Sequence, residues 1–137
     1  MLTAMGEPQA SLGTAWHEAS AAWFKQRLNV GADLVVFVVD DAAGRPVAAA
    51  AGLCEFRAPS GTNLSGGVGR IFNVVTDLDH RRQGLARDCT TAVLDWFAEH
   101  TAVGVCELSA TEDGDALYRS LGFGPGDHPL LRLTLTR

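Results

Sequence analysis

The chain has 137 residues, 47% of them hydrophobic and 20% charged, which suits one domain with its own apolar core and excludes a disordered chain. Its formal net charge of −5 argues against a general nucleic-acid binder, which needs a basic face. The apolar runs are too short to span a membrane, and the N-terminus lacks the charged-then-apolar pattern of a secretion signal.

Residues 1–13 carry no periodic pattern and read as a loose N-terminus, ahead of a single domain over 14–137. Thr14 is a suitable N-cap for a helix running to Leu28, with Trp16, Ala19, Ala22 and Trp23 on one face. Residues 34–39 form an unbroken β-branched and aromatic run, the pattern of a strand buried on both faces. Residues 40–46 read as a hairpin turn, and 47–57 as the return strand. Its alanine run, 48–51, is unusual for a strand, so only its position after the turn supports that reading. Residues 58–69, rich in Gly, Ser, Asn and Pro, read as a loop.

The next strand spans 71–77. A helix over 85–100 follows, burying Leu85, Cys89, Val93, Trp96 and Phe97 and exposing Arg87, Asp88, Thr91, Asp95 and Glu99. A strand over 103–110, a short helix over 113–121 and a last strand over 130–136 complete the chain. In that last strand Leu131, Leu133 and Leu135 alternate with Arg132 and Thr134, as a half-exposed strand requires. Antiparallel strands followed by strand–helix–strand give a mixed α/β sheet. Cys54, Cys89 and Cys106 lack metal-ligand spacing and sit in apolar contexts, so they read as buried free thiols of a reducing, cytoplasmic compartment, and no metal is expected.

The turn between the strand at 71–77 and the helix at 85–100 carries the chemistry. It contains Arg81, Arg82, Gln83, Gly84, Leu85, Ala86 and Arg87. A helix start offers backbone N–H groups without internal acceptors and a positive dipole end, which together hold anions such as phosphate. Gly84 lets an anion approach the backbone, and the arginines add charge for phosphate oxygens. There is no Gly-Lys-Ser/Thr of a nucleotide P-loop and no dinucleotide Gly-x-Gly-x-x-Gly.

Arg81-x-x-Gly84-x-Ala86 resembles the Arg/Gln-x-x-Gly-x-Gly/Ala acyl-CoA signature of the GNAT superfamily of N-acetyltransferases. The run Leu117, Tyr118, Arg119, Ser120, Leu121, Gly122, Phe123 resembles that family's later Leu-Tyr-x-x-Leu-Gly-Phe motif. The resemblance covers about residues 34–137 and implies a GNAT-like α/β fold, a mixed, mostly antiparallel central sheet flanked by helices. The family's first strand and first helix are not recognisable, so the N-terminal region reads as shortened or truncated. A sheet edge left exposed by that loss would favour a dimer or strand exchange.

The resemblance implies acetyl transfer from acetyl-CoA, as co-substrate, to a primary amine of a small molecule. The alternatives are a protein or peptide N-acetyltransferase and a non-catalytic acyl-CoA-binding module. The partners implied are acetyl-CoA and an amine acceptor, with no nucleic acid and no membrane, and a homodimer by analogy with the superfamily. The pyrophosphate falls on the backbone of Arg82, Gln83, Gly84, Leu85, Ala86 and Arg87, beside Arg81; the pantetheine arm falls on backbone groups of Val74 and Thr76 and on Thr111, where the family often has Asn. Tyr118 aligns with the family's general acid, which protonates the leaving thiolate. The Glu that some relatives carry as a base falls at Ile71, so Asp77, His80 and Glu112 are candidates by proximity alone, with His80 reading first as a structural residue and Asp77 as a helix cap. Leu78 replaces a frequent Pro, and Arg82 and Gln83 replace a more usual Gly-Arg or Gly-Lys order.

Overall fold

A computed structural model describes residues 15–137. The N-terminal segment 1–13 and the expected cap Thr14 lie outside the described residues. The elements in order are α1 (Ala15–Val30), β1 (Leu34–Asp40), β2 (Pro46–Phe56), β3 (Gly67–Thr76), α2 (Leu85–His100), β4 (Val103–Glu107) and α3 (Glu112–Ser120). The four strands form one sheet in the order β1-β2-β3-β4. The first three are antiparallel neighbours and β4 runs parallel to β3. This is the mixed, mostly antiparallel α/β sheet expected.

The β1–β2 hairpin is tied by Asp41, whose carboxylate accepts the N–H groups of Ala43 (2.8 Å) and Arg45 (3.0 Å). Residues 34–39 are not buried on both faces. Among the described residues β1 pairs only with β2 and so stands at the sheet's edge, and Val38 is 45% exposed. The alanine run has a packing reason. Ala48, Ala49, Ala50 and Ala51 are all buried, and the small side chains of Ala48 and Ala50, packed with Val93 and Phe97, let α2 settle close to the sheet, while Ala49 and Ala51 point to the opposite face. Gly52 and Gly69 extend the same allowance. A methyl at Gly52 would lie 2.5 Å from Val93 Cγ1, and one at Gly69 would lie 2.7 Å from Phe97 Cε2. Ala48, Ala50, Cys54, Ile71, Cys89, Val93 and Phe97 form the core of this sheet–helix layer.

β3 starts at Gly67, four residues before the boundary read from the sequence, because Gly67, Val68 and Gly69 pair with Phe56, Glu55 and Cys54. Glycine there marks close approach of backbone and ring rather than a loop. β4 stops at Glu107, short of the expected Ala110. On α1 the half-buried residues are Trp16, His17, Ser20 and Phe24, while Ala19, Ala22 and Trp23 are exposed, so the buried stripe is rotated from the expected face. Phe24 stacks on Phe72 of β3 (centroids 5.9 Å, 19°), which sets that rotation.

The expected last strand over 130–136 does not form. Residues 121–137 contain no strand, and Leu130, Leu131, Leu133 and Leu135 are 78%, 87%, 84% and 63% exposed. Alternation favours a strand only when a ladder partner lies alongside, and the tail takes none among the described residues.

Candidate active site

Three pieces of backbone meet beyond the C-terminal end of β3. The first is β3 itself. It pairs with β4 only from Gly67 to Arg70, because β4 ends at Glu107, so, among the described residues, 71–76 have no strand beside them on that side. Just beyond, β3 carries a β-bulge against β2. Between Ala49 and Ala51 of β2 the register jumps from Val75 to Phe72, so Asn73 and Val74 together face Ala50. Asn73 takes a left-handed conformation (φ 49°), which Asn tolerates better than most residues. Val74 and Thr76 lie on the stretch of edge beyond the end of β4. Thr76 Oγ1 is buried with no hydrogen-bond partner.

The second piece is the turn into α2. Leu78–His80 form a short 3₁₀ turn, and Arg82 (φ 64°) and Gly84 (φ 78°) are both left-handed. Gly84 is the N-cap of α2, and no side chain caps that end. Asp88 N–H is the first to reach a helical carbonyl, that of Gly84, at 3.0 Å. The N–H groups of Leu85, Ala86 and Arg87 precede it in the uncapped first turn. A methyl built on Gly84 meets nothing within 4 Å, so the space over this helix start is open. Arg81, Arg82 and Arg87 are balanced in sequence by Asp77, Asp79 and Asp88. What this helix start offers an anion thus comes from its backbone N–H groups and the helix dipole more than from net side-chain charge. Arg87 also braces the site, donating from Nη2 to Ser120 Oγ at 2.7 Å and tying α2 to α3.

The third piece is α3. Thr111 caps it by accepting Gly114 N–H at 3.3 Å, so its hydroxyl oxygen is partly committed while its proton remains available. Tyr118 is 9% exposed, its ring edge-on to Phe123 (centroids 6.1 Å, 73°) and packed over Gly114, where a methyl would lie 2.8 Å from Cε2. Gly122 (φ 100°) ends the helix and returns Phe123, whose N–H bonds the carbonyl of Tyr118 at 3.0 Å. The Leu-Tyr-x-x-Leu-Gly-Phe spacing is thus a helix stop that clamps the tyrosine ring. Tyr118 lines a cleft of about 960 Å³ with Arg70, Cys106, Glu107, Ser109 and Phe123. Burial raises its pKa above the usual 10, so the phenol stays protonated at neutral pH.

Ile71 lies in the core at 2% exposure on the α2 side. Arg70 and Phe72 flank it on the opposite face, so a base at Ile71 would have pointed away from the cleft. Asp77 and Glu112 are exposed, and His80 is half-buried with Nδ1 unpartnered. None of the three lines the cleft. Sequence reading missed Arg70, which reaches across to Ser109 Oγ (2.9 Å), and Glu107, held by Arg57 at 3.4 Å. Both are residues of a β-strand whose outward face only the sheet register reveals. It also missed the bulge at Asn73, for which a lone Asn inside a β-branched run was the available signal. Cys54 and Cys89 are buried free thiols, while Cys106 is only partly buried. Burial raises the pKa of all three. Among the described residues no group of His, Cys, Asp and Glu is placed to hold a metal ion, and no helix is long and apolar enough to cross a membrane.

A family model described as the acetyltransferase (GNAT) family matches residues 5–123. A search of curated proteins gives no match. Among solved structures, the chain is similar to a GCN5-related N-acetyltransferase from Ralstonia eutropha, with 25% identity over 93% of this chain and 82% of that one and a TM-score of 0.78. It is also similar to a predicted acetyltransferase from Clostridium acetobutylicum solved with acetyl-CoA, at 24% identity over 85% of this chain and 73% of that one, TM-score 0.77. An acetyltransferase from Trypanosoma brucei gives 25% identity, 85% and 77% coverage and a TM-score of 0.65.

Proposed function

The chain belongs to the GNAT acetyltransferase family, and from that premise we propose that it moves the acetyl group of acetyl-CoA directly to a primary amine of a small molecule. The observation that carries this reading is the edge of β3 left unpaired on the β4 side after Arg70, among the described residues, directly before an uncapped, glycine-opened helix start. An extended, amide-bearing arm with a diphosphate at one end fits such a site. Its amides can pair with the bare edge at Val74 and Thr76, and its phosphates with the first-turn N–H groups of α2. The similar Clostridium protein, solved with acetyl-CoA, supports the choice of donor.

Arg81, Arg82, Gln83, Gly84, Leu85, Ala86 and Arg87 bind and orient the donor's phosphates, mostly through backbone. Thr111 offers its hydroxyl proton to the arm. Tyr118 holds a proton on Oη, which no described residue takes up by hydrogen bonding, and delivers it to the departing thiolate. The partly exposed Glu107, on the cleft wall, is a better-placed proton acceptor for the incoming ammonium than Asp77, His80 or Glu112. Buried and half-buried thiols with raised pKa fit a reducing cytoplasmic setting.

The test has two stages. Calorimetric titration with acetyl-CoA, with ATP and desulfo-CoA as controls, should give saturable binding of acetyl-CoA. Thiol release should then follow addition of one or more members of a small-amine panel and not of peptides. Failure to bind acetyl-CoA refutes the reading.

A further inference from the structure

The cleft beside Tyr118 holds a cation that the proposed chemistry leaves without a task. Arg70 is the last residue of β3 to pair with β4, in register with Glu107. It is half-buried, lines the cleft and donates from Nη2 to Ser109 Oγ at 2.9 Å. Among the described residues it forms no ion pair. The carboxylates of the cleft wall are taken by other arginines. Asp115 holds Arg119 at 2.8 Å, and Glu107 meets Arg57 at 3.4 Å. Arg57 also serves Glu55, at the shorter distance of 2.9 Å, so Glu107 only shares that guanidinium. A half-buried guanidinium whose one partner is a neutral hydroxyl has donors to spare.

The side chains also keep the opposite charges separate. Arg70 reaches forward to Ser109, two residues past its register partner, while Glu107 is drawn back along the strand toward Arg57. Ser109 accepts from Arg70, which leaves its own proton to donate. The cleft thus presents a cationic fork with a hydroxyl beside it, then a carboxylate, on apolar wall from Val105, Phe123 and Pro125.

Resting on the acetyl transfer proposed above, we propose that the acceptor is a free amino acid with an apolar side chain. Its carboxylate lies on Arg70 and Ser109, its amine faces Glu107, and its side chain covers the apolar wall. A carboxylate fits better than a phosphate, because its two oxygens match one guanidinium edge. The second charge of a phosphate would meet Glu107 with no further unpaired arginine to offset it. A plain amine leaves Arg70 unanswered. A peptide N-terminus has its first carboxyl tied up as an amide, so the same fork tells a free amino acid from a peptide end.

Turnover is read with leucine, methionine and phenylalanine, each beside its carboxamide and its decarboxylated amine, and with phosphoethanolamine. The acids are expected to exceed their carboxamides and amines at least ~10-fold in kcat/KM, with the difference in KM. Arg70→Gln removes the charge and keeps a donor for Ser109. It is expected to bring the acid-to-carboxamide ratio to about 1, and Arg70→Lys to recover part of it. Acetyl-CoA affinity checks that both variants are folded. Equal use of acid and carboxamide by the unsubstituted chain, better use of phosphoethanolamine, or a ratio that survives Arg70→Gln overturns the proposal. Calorimetric titration of the same compounds, with desulfo-CoA present, separates this inference from the transfer beneath it. Acid binding that Arg70→Gln removes supports the carboxylate site even if acetyl-CoA fails to bind, in which case the transfer alone falls. Absence of acid binding overturns the site whether or not acetyl-CoA binds.

Discussion

Replacing Gly84 by Glu tests the anion site without disturbing the fold. Gly84 has φ 78°, and a methyl there meets nothing within 4 Å. An L-residue at this position therefore bears only the left-handed penalty, about 1–2 kcal/mol, against a total stability of about 5–15 kcal/mol. The melting temperature should fall by about 4–8 °C per kcal/mol at most, leaving a folded protein. The binding effect is larger. A carboxylate rising from the N-cap competes for the open N–H groups of α2 and repels the diphosphate. At 4 Å one pair of unit charges is worth about 1 kcal/mol in water and about 4 kcal/mol at an effective dielectric of 20. With the N–H groups also occupied, we expect acetyl-CoA affinity to fall at least ~100-fold, about 2.7 kcal/mol. Gly84→Ala carries the same backbone strain without the charge and should lose less than ~10-fold, under 1.4 kcal/mol. Calorimetry with acetyl-CoA, alongside thermal melts of both variants, reads the two effects separately. A folded Gly84→Glu protein that binds as tightly as the unsubstituted chain refutes the placement of the phosphates. Equal losses in both variants would trace the effect to strain instead.

Tyr118→Phe should lower kcat by about 10²-fold or more where chemistry limits the rate, with acetyl-CoA affinity unchanged; an unchanged kcat removes the acid role. Asn73→Val places a β-branched residue at φ 49°, which should cost about 1–3 kcal/mol and weaken acetyl-CoA binding by disturbing the bulge that sets the β3 edge at Val74 and Thr76, whereas Asn73→Gly should do neither; denaturant melts and titration read both. Gly69→Ala drives a methyl to 2.7 Å from the Phe97 ring and should destabilise by about 1–3 kcal/mol, with partial relief from Phe97→Leu in a double-mutant cycle. The thiols of Cys54, Cys89 and Cys106 and the phenol of Tyr118 have raised folded pKa values because burial disfavours their anions. Their share of stability is complete below the unfolded values and is lost as pH rises through the folded ones. The melting temperature should therefore decline above the thiol range, starting near pH 9, and a flat profile through pH 10.5 would contradict the burial of these groups.

The local geometry of the proposed donor site was legible in the sequence because its parts are local. The turn from Arg81 to Arg87 and the helix stop at Leu121, Gly122 and Phe123 depend on φ preferences, cap positions and spacing within a dozen residues. The α2 helix, Leu85–His100, follows from its period alone. Where a neighbour decided the outcome, the residues were silent. Ala48 and Ala50 became the floor of the core only because α2 lies on them, and Gly67 and Gly69 joined β3 where Ala102 and Phe97 approach. Arg70 and Glu107 came to line the cleft when the register set them on that side while Ile71 turned to the core.

The sequence by itself determined a mixed α/β chain with a glycine-opened helix start and a clamped tyrosine, since those rest on backbone conformations that each segment sets for itself. Only the tertiary structure decided that Asn73 bulges β3 against β2, and that the leucine tail, for all its strand-like alternation, pairs with no strand among the described residues. A strand exists only when another backbone supplies the other half of its hydrogen bonds.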